Sequence, residues 1–211
     1  MTTLLVANRG EIARRICRTA KRLGIRTVAV YSDADAALPF AREADARIRI
    51  GPAPARESYL DPARILAAAR EAGADLIHPG YGFLAESPEL ARLTAAAGLV
   101  FVGPPPDVLA ALGDKAQAKE IARRARVPVL PGHWSDDQSD DALLAAARRV
   151  GYPLMVKPVA GGGGIGMQRV REEGALREAL AKSRRIAAAS FGDERVLLER
   201  LMERPRHIEV Q

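Results

Sequence analysis

The stretch VKPVAGGGGIGMQRV, residues 156–170, places four consecutive glycines between two short apolar segments, with Lys157 ahead of them. Glycine loses more backbone freedom on folding than any other residue, so such a run indicates positive φ angles or a close approach to the backbone. Residues 161–166 fit the pattern G-x-G-x-x-G, but a dinucleotide fingerprint opens directly into a helix, and here Met-Gln-Arg-Val follows. The Walker A pattern does not fit either, because its Lys and its Ser or Thr come after the glycines, whereas Lys157 precedes them.

The remaining interpretation of this stretch is a glycine-rich hairpin tip between antiparallel strands. Such a tip folds over phosphate groups and offers them backbone N–H groups without side-chain obstruction. The alternative is a surface hairpin without a ligand, for which one or two glycines suffice. Because ordering each loop residue costs about 1–2 kcal/mol, we expect the loop to be mobile until an anion binds.

The sequence around this loop predicts a second unit that starts near Val127 and has the order α-β-β-α-β. Its predicted elements are a helix that is capped by Ser139 and runs to about Val150, the strands YPLMVKPV and GMQRV, a helix over about 175–189, and the strand RVLLER. The final residues, RHIEVQ, alternate at strand period and predict a strand that stops without a turn or cap. Either the chain is a fragment, or its sheet ends in an unprotected edge, which natural proteins usually avoid.

The N-terminal half alternates short apolar strands with Ala-rich helical segments, which is the βαβ pattern. The predicted strands are TLLVAN, RTVAVYS, ARIRIG, ADLIHP and LVFVG. Two helices have N-cap candidates, Asp61 and Ser87, each followed by proline. We therefore expect an open, mostly parallel sheet, with ligands near the carboxyl ends of its strands at residues 8–11, 32–35 and 78–86.

Lysine usage points to two positions. Only five of the 32 basic residues are lysine, at positions 21, 115, 119, 157 and 182. Lys115 lies in the first turn of a predicted helix that follows a break at Gly113 and is capped by Asp114. Lys115 and Lys157 both depart from the chain's preference for arginine at basic positions. A compact ammonium group suits a crowded phosphate pocket, although chance is the competing explanation.

Composition excludes several classes of protein. The net charge is +6, but arginines alternate with acids and only 4% of residues are aromatic, which disfavours nucleic-acid binding. Cys17 is the sole cysteine, at helical spacing among apolar residues, so we expect a buried, inert thiol and no disulfide. No apolar run has the length of a membrane span, and the N-terminus lacks signal-peptide features, so we expect a cytoplasmic location.

Eight segments, in order, carry a resemblance to a known family. They are VANRGEIARRICRTAKRLGIRTVAVYSDAD, IGPAPARESYL, IHPGYGFLAES, FVGPPP, GDKAQAK, VPVLPG, GYPLMVKPVAGGGGIGM and LLERLMERPRHIEVQ. They resemble the biotin carboxylase subunits and domains of biotin-dependent, acyl-CoA type carboxylases, which belong to the ATP-grasp superfamily. The resemblance covers essentially the whole chain.

The resemblance implies an α/β fold: a Rossmann-like N-terminal domain followed by an α+β ATP-grasp lid, with the ATP-grasp fold truncated. It divides the chain into the N-terminal domain at 1–113, a helical connector at 114–126, the lid with its glycine-rich flap at 127–203, and the start of a second subdomain at 204–211. The implied reaction is carboxylation of protein-linked biotin by ATP and bicarbonate, through carboxyphosphate.

The resemblance also implies site residues. Lys115 and Lys157 contact the ATP phosphates, and Gly163 and Gly164 lie in the flap that closes over them. The remaining implied residues are Glu199, Arg200, Leu201 and Met202 at the adenine, His207 in the nucleotide pocket, and Tyr81 near biotin. The sequence departs from the family at Ile165, where Lys or Arg is usual, and at Ser87, where Asn is common.

Other parts of the family's machinery are expected beyond Gln211, namely the carboxylates that bind Mg²⁺ and the residues that handle bicarbonate and biotin. We therefore expect no catalytic or metal-binding residue in this chain, and no activity from it alone, because charge neutralisation by metal is central to phosphoryl transfer. The implied partners are a biotin carboxyl carrier protein, a carboxyltransferase subunit and a second copy of the chain. The alternatives are another ATP-grasp ligase, such as a carbamoyl-phosphate synthase half, and a non-catalytic nucleotide-binding module.

Overall fold

The computed structural model describes residues 1–160, 163–206 and 208. The chain divides into two compact units, Met1–Ala110 and Ala111–Gln211. Three sequence predictions lie wholly or partly outside the described residues: His207 as a nucleotide contact, the first glycines of the predicted flap, and the strand RHIEVQ. Within the described part of the chain, no helix is both long and apolar enough to cross a membrane.

The first unit alternates strands and helices along the chain. Its strands are β1 (Thr3–Val6), β2 (Arg26–Ser32), β3 (Ala46–Gly51), β4 (Leu76–His78) and β5 (Val100–Phe101). Its helices are α1 (Gly10–Arg22), α2 (Pro39–Glu43), α3 (Pro62–Glu71) and α4 (Pro88–Ala96), and α5 (Pro106–Gly113) crosses the boundary to the second unit. All five predicted strands are confirmed, with ends that differ by up to two residues.

The five strands form one parallel sheet in the order β3-β2-β1-β4-β5. The predicted open parallel sheet is thus confirmed. Successive strands run outward from β1 toward one edge and then from β4 toward the other. The direction of winding reverses between β1 and β4, and such a switch point is where ligands bind in open α/β sheets.

Both faces of the parallel sheet are covered, as its apolar strands require. Leu5 and Ala7 point into one apolar layer, which contains Tyr59 and Ile65, and the alternating residues Leu4 and Val6 point into the other. Cys17 from α1 is buried in that second layer, as predicted, and burial raises the pKa of its thiol.

The second unit is built on a separate sheet. Its elements are α6 (Lys115–Arg124), β6 (Gly132–His133), α7 (Asp140–Val150), β7 (Leu154–Pro158), β8 (Gln168–Val170), α8 (Leu176–Phe191) and β9 (Val196–Arg200). One 3₁₀ turn, Glu173–Ala175, lies in this unit, and two others, Asp33–Asp35 and Ala55–Glu57, lie in the first unit. The sheet is antiparallel with the order β6-β9-β7-β8, and the strands that flank the glycine loop pair directly, as predicted.

One face of this antiparallel sheet packs against α7 and α8. The shared core contains Leu143 and Ala146 from α7, Leu176 and Leu180 from α8, and Leu198 from β9. The buried residues of α7 recur at helical spacing, and those of the strands alternate, so each element contributes one apolar face.

The predicted helix caps are confirmed by hydrogen bonds. The Asp61 carboxylate accepts from two N–H groups in the first turn of α3, and the Ser87, Asp114 and Ser139 side chains each accept from one in α4, α6 and α7. The sequence pattern did not predict α2 or β6. Both are short, five and two residues, so they carry too little periodic pattern to be recognised.

Candidate functional site

The face of the second sheet opposite its helical core carries Lys157 and Glu199. Along β9, Leu198 points into the core, so Leu197 and Glu199 lie on the other face; along β7, Val156 points into the core and Lys157 lies opposite. Lys157 pairs with Leu197 in the ladder, which places Glu199 one diagonal step away. Long side chains reach across such a diagonal. The sheet register therefore brings Lys157 and Glu199 together.

Glu199 is buried and holds two lysines at once. One carboxylate oxygen accepts a hydrogen bond from Lys157, and the other pairs with the ammonium group of Lys119. Burial raises the pKa of the Glu199 carboxyl, but the hydrogen bonds from Lys119 and Lys157 outweigh burial and hold that pKa below its ordinary value. The carboxyl is therefore ionised at neutral pH, and each oxygen faces one cation.

Helix α6 carries Lys119 and one further lysine of the site, Lys115. Lys115 and Lys119 are four residues apart, so they lie on the same face of the helix. The Nζ atom of Lys115 lies 3.4 Å from the backbone oxygen of Val159, just after β7. A cation in the first turn of a helix is disfavoured by the macrodipole, so helix stability does not explain Lys115. Lys115, Lys119, Lys157 and Glu199, called here the lysine cluster, together carry a net charge of +2.

The described part of the glycine loop lies beside Lys115. A cavity of about 90 Å³ opens between them, and its lining residues are Lys115, Pro158, Ala160, Gly163, Gly164, Ile165 and Met167. Gly163 and Gly164 have φ angles of +66° and +77°, and a Cβ atom on either would meet nothing within 4 Å. These glycines are therefore required by backbone conformation, and they leave open space along the backbone.

Gly166 is constrained more tightly than its neighbours. Its φ is +78°, and a Cβ atom there would lie 2.9 Å from Cγ of Pro158 and 3.3 Å from Ile186. We expect Gly166→Ala to lower the free energy of unfolding of the second unit by about 1–2 kcal/mol, because it adds strain at positive φ and crowds the proline. Urea unfolding followed by fluorescence of Trp134, the only tryptophan, measures this.

Gly174 provides the matched control for that substitution. A Cβ atom at Gly174 meets nothing within 4 Å, and its φ lies outside the positive range. Gly174→Ala should leave the unfolding free energy unchanged or slightly raised. Equal effects of the two substitutions would show that the backbone at residue 166 is not held as described.

The segment predicted to meet adenine, Glu199–Met202, continues from the end of β9. The backbone N–H of Arg200 donates to Pro131 at 2.8 Å, and that of Leu201 donates to Pro153 at 3.0 Å. Both N–H groups are therefore already hydrogen-bonded within the protein. Contacts from this segment to a ligand are left to its other backbone groups and to the exposed Met202.

Tyr81 lies in the first unit, at the switch point of the parallel sheet. Its hydroxyl donates a hydrogen bond to Glu11 in the first turn of α1, which raises the pKa of Tyr81. The Asn8 amide donates to the backbone oxygens of Pro79 and Tyr81 at 2.7 and 2.9 Å. The loops after β1 and β4 are thus tied together, and the Tyr81 ring remains exposed.

A second group of side chains at the same end of the parallel sheet was not singled out by the sequence. Asp35 is buried and accepts hydrogen bonds from Tyr59 at 2.7 Å and Ser32 at 2.8 Å. The Arg9 guanidinium lies 3.5 Å from Asp35 and over the stacked rings of Tyr59 and Phe83. Two of the predicted surface loops, 8–11 and 32–35, meet through this group.

A larger cavity in the first unit, of about 430 Å³, has a different character. Its lining is mostly apolar, including Leu4, Ile16, Leu23 and Leu76, and it contains none of the residues predicted to bind nucleotide. Apolar walls do not compensate phosphate charge. This cavity is therefore not a candidate site for a phosphorylated ligand.

The predicted site residues thus fall into three groups. In the second unit the structure brings Lys157 against Glu199, and Lys115 against Gly163 and Gly164. Tyr81 lies in the first unit, and His207 lies outside the described residues. Among the residues that the structure describes, no three His, Cys, Asp or Glu side chains are arranged to hold a metal ion.

Two protein families match the chain. The family described as "Biotin carboxylase, N-terminal domain" matches residues 1–109. The family described as "Carbamoyl-phosphate synthase L chain, ATP binding domain" matches residues 114–211. The limits of the two matches follow the division of the structure into two units closely.

Curated relatives match over nearly the whole chain. The methylcrotonoyl-CoA carboxylase subunit alpha of Oryza sativa subsp. japonica, a mitochondrial protein, is 50% identical over 99% of this chain, which spans 28% of that relative. The propionyl-CoA carboxylase alpha chain of Ruegeria pomeroyi is 44% identical over 99% of this chain, which spans 30% of it. The chain therefore corresponds to less than a third of the length of these two relatives.

Solved structures share the fold. A biotin carboxylase from Campylobacter jejuni, described as a β-γ-ATP complex, has a TM-score of 0.92 and 40% identity; the match covers 96% of this chain and 45% of that one. The biotin carboxylase domain dimer of the 2-oxoglutarate carboxylase of Hydrogenobacter thermophilus, in complex with MgADP, ADP and bicarbonate, has a TM-score of 0.91 and 41% identity, covering 96% of this chain and 44% of that one. Fold, sequence and family matches agree, and the chain belongs to the biotin carboxylase family.

Proposed function

We propose that this chain forms the N-terminal domain and the nucleotide-binding lid of a biotin carboxylase, an ATP-dependent ligase that carboxylates protein-linked biotin with bicarbonate through carboxyphosphate. The observation that carries the proposal is the lysine cluster, with its net charge of +2, beside a glycine loop with positive φ angles. Ammonium groups and open backbone are what a triphosphate requires. The solved relatives that contain ATP or ADP support the same assignment.

In this proposal Lys115 and Lys157 contact the phosphates, and the backbone N–H groups of Gly163 and Gly164 cover them. The cavity of about 90 Å³ beside Lys115 has room for one phosphate group. Ligand pockets are typically about 300–1,000 Å³, so a whole nucleotide requires the glycine loop to move away from Lys115. The predicted mobile flap is consistent with this requirement and stays a prediction.

The adenine is assigned to Glu199, Arg200, Leu201 and Met202. Because the N–H groups of Arg200 and Leu201 already donate within the protein, and both oxygens of the Glu199 carboxylate bind lysines, adenine recognition falls to the remaining backbone groups of the segment. His207 and Tyr81 keep their predicted roles, in the nucleotide pocket and near biotin. The Arg200 guanidinium donates to the Val150 carbonyl at 3.4 Å, which links the segment to the end of α7.

The chemistry of this chain is binding and charge compensation. Lys115 and Lys157 hold the phosphates, and the net positive charge of the lysine cluster lowers the cost of bringing their negative charge into a partly buried site. Mg²⁺, when bound, neutralises further charge at the phosphates, and we assign none of its ligands, and no catalytic residue, to this chain.

The proposal extends to the organisation predicted from the sequence, with domains at 1–113, 127–203 and 204–211 and the helical connector 114–126 between the first two. The expected partners are a biotin carboxyl carrier protein, a carboxyltransferase subunit and a second copy of the chain. A cytoplasmic location is part of the same proposal.

A domain replacement tests the activity. We expect the Ruegeria relative to retain ATP- and bicarbonate-dependent carboxylation of biotin when this chain replaces its matching segment. The assay follows bicarbonate-dependent release of ADP, with and without free biotin. A folded chimera that binds ATP but does not carboxylate biotin would contradict the proposal. The unmodified relative is the positive control.

The second candidate is a ligase of the carbamoyl-phosphate synthase type, because the family that matches residues 114–211 carries that name. The match of residues 1–109 to a biotin carboxylase domain favours the first candidate. The same chimera separates the two, since bicarbonate-dependent ATP consumption without any response to biotin would favour the second.

A further inference from the structure

Lys119 has a position that the proposed phosphate contacts do not explain. It shares Glu199 with Lys157, one carboxylate oxygen for each lysine. Its side chain is only 18% exposed, and its Nζ atom lies 5.8 Å from the centroid of the Trp134 ring. Holding a lysine in a partly buried position costs side-chain entropy and hydration.

Local helix stability does not account for Lys119. The acid next to it, Glu120, accepts hydrogen bonds from Arg123 and Arg124, and these hold the pKa of Glu120 at about 2. The i,i+3 and i,i+4 ion pairs of α6 are therefore made by other side chains. Lys119 extends instead to the sheet and reaches a carboxylate 80 residues away in the sequence.

The sharing of the Glu199 carboxylate by Lys119 and Lys157 has an electrostatic consequence. A buried carboxylate with a single lysine partner forms a neutral pair, and that lysine has little net charge to offer an anion. When a second ammonium group binds the other oxygen, the three side chains together keep a net charge of +1. A lysine suits this arrangement because its ammonium group is compact and can bind a single carboxylate oxygen.

We infer that Lys119 is a positioning residue for triphosphate recognition: by binding one oxygen of Glu199, it leaves part of the positive charge of Lys157 uncompensated and available to the nucleotide phosphates. The inference rests on the proposed function, since it requires that the site bind ATP. It assigns to Lys119 no direct contact with the nucleotide.

The test compares nucleotides of different charge. We expect Lys119→Met to raise the dissociation constant for ATP about tenfold and that for AMP by less than about twofold, because the lost charge acts on the phosphates. Lys119→Arg should recover most of the ATP affinity. Calorimetric titration of the 211-residue protein with ATP, ADP and AMP measures these values.

Lys182→Met is the matched control, because Lys182 is an exposed lysine of α8 in the same unit. It should change neither dissociation constant. If Lys119→Met weakened ATP and AMP equally, the role of Lys119 would be structural and the inference would be wrong. If the wild-type protein bound no ATP, the proposed function would fail and the inference with it; normal ATP binding by Lys119→Met would overturn the inference alone.

The same substitution made in a Glu199→Gln variant separates a positioning role of Lys119 from direct contact with phosphate. In Glu199→Gln there is no carboxylate charge to share, so adding Lys119→Met should change the ATP dissociation constant by less than about twofold. A further tenfold loss in this background would mean that Lys119 binds phosphate itself, which contradicts a positioning role. The fluorescence of Trp134 reports in each variant whether the surroundings of residue 119 remain folded.

Discussion

Replacing Lys157 with methionine is expected to raise the dissociation constant for ATP about a hundredfold, which corresponds to ~2.7 kcal/mol. Removing one partner of a partly buried, hydrogen-bonded charge pair typically costs about 2–5 kcal/mol, and here the lost partner is the phosphate contact itself. The protein should remain folded, because Glu199 keeps Lys119 as an ion-pair partner. Calorimetric titration with ATP measures the change.

Two controls accompany this prediction. Lys182→Met removes the same charge from an exposed position and should leave ATP binding unchanged. Far-ultraviolet circular dichroism should be the same for Lys157→Met and the wild type. Unchanged ATP affinity in a folded Lys157→Met protein would contradict the assignment of the phosphate site to the lysine cluster.

The second large effect concerns stability. Leu198 is fully buried at the centre of β9, which pairs with both β6 and β7 and packs on α7 and α8. Leu198→Ala should lower the free energy of unfolding of the second unit by about 3 kcal/mol, since it removes buried methyl groups and leaves a cavity in a strand with neighbours on both sides. Urea unfolding followed by Trp134 fluorescence reports on this unit.

Leu112→Ala is the control for that substitution, because Leu112 is an exposed leucine near the start of the same unit. Its effect should lie within about 0.5 kcal/mol of zero. A similar midpoint for Leu198→Ala and Leu112→Ala would mean that the core between the antiparallel sheet and its two helices does not stabilise the unit.

The secondary structure was largely predictable because local signals agreed with burial. Apolar runs predicted all five strands of the parallel sheet, and the cap residues Asp61, Ser87, Asp114 and Ser139 marked helix starts that the structure confirms by hydrogen bonds. The antiparallel pair around the glycine loop was also predicted correctly. The short elements α2 and β6 were missed, since their few residues carry no period.

The lysine cluster could be predicted only in part. The low lysine content drew attention to Lys115 and Lys157, and the four-residue spacing to Lys115 was a signal that Lys119 lies on the same helix face. The sharing of Glu199 by two lysines depends on the register of β7 and β9 and on the placement of α6 over that face. Those are tertiary relations, which no local pattern in the sequence encodes.

The same reason explains the group around Asp35 in the first unit. Arg9, Asp35, Tyr59 and Phe83 lie in four separate loops or turns, and the sequence shows them as unrelated residues. Only the order of the strands brings the loops after β1 and β2 together. Prediction from sequence located the loops, and the side-chain network required the structure.

The central claim is that ATP binds at the lysine cluster of the second unit, and the five lysines of the chain allow a direct measurement. In a protein labelled with carbon-13 at lysine Cε, each lysine gives a resonance that a single Lys→Arg variant assigns. The account predicts that ATP shifts the resonances of Lys115, Lys119 and Lys157 and leaves those of Lys21 and Lys182 in place. Saturating ATP that leaves the first three unmoved, or shifts all five alike, would contradict it.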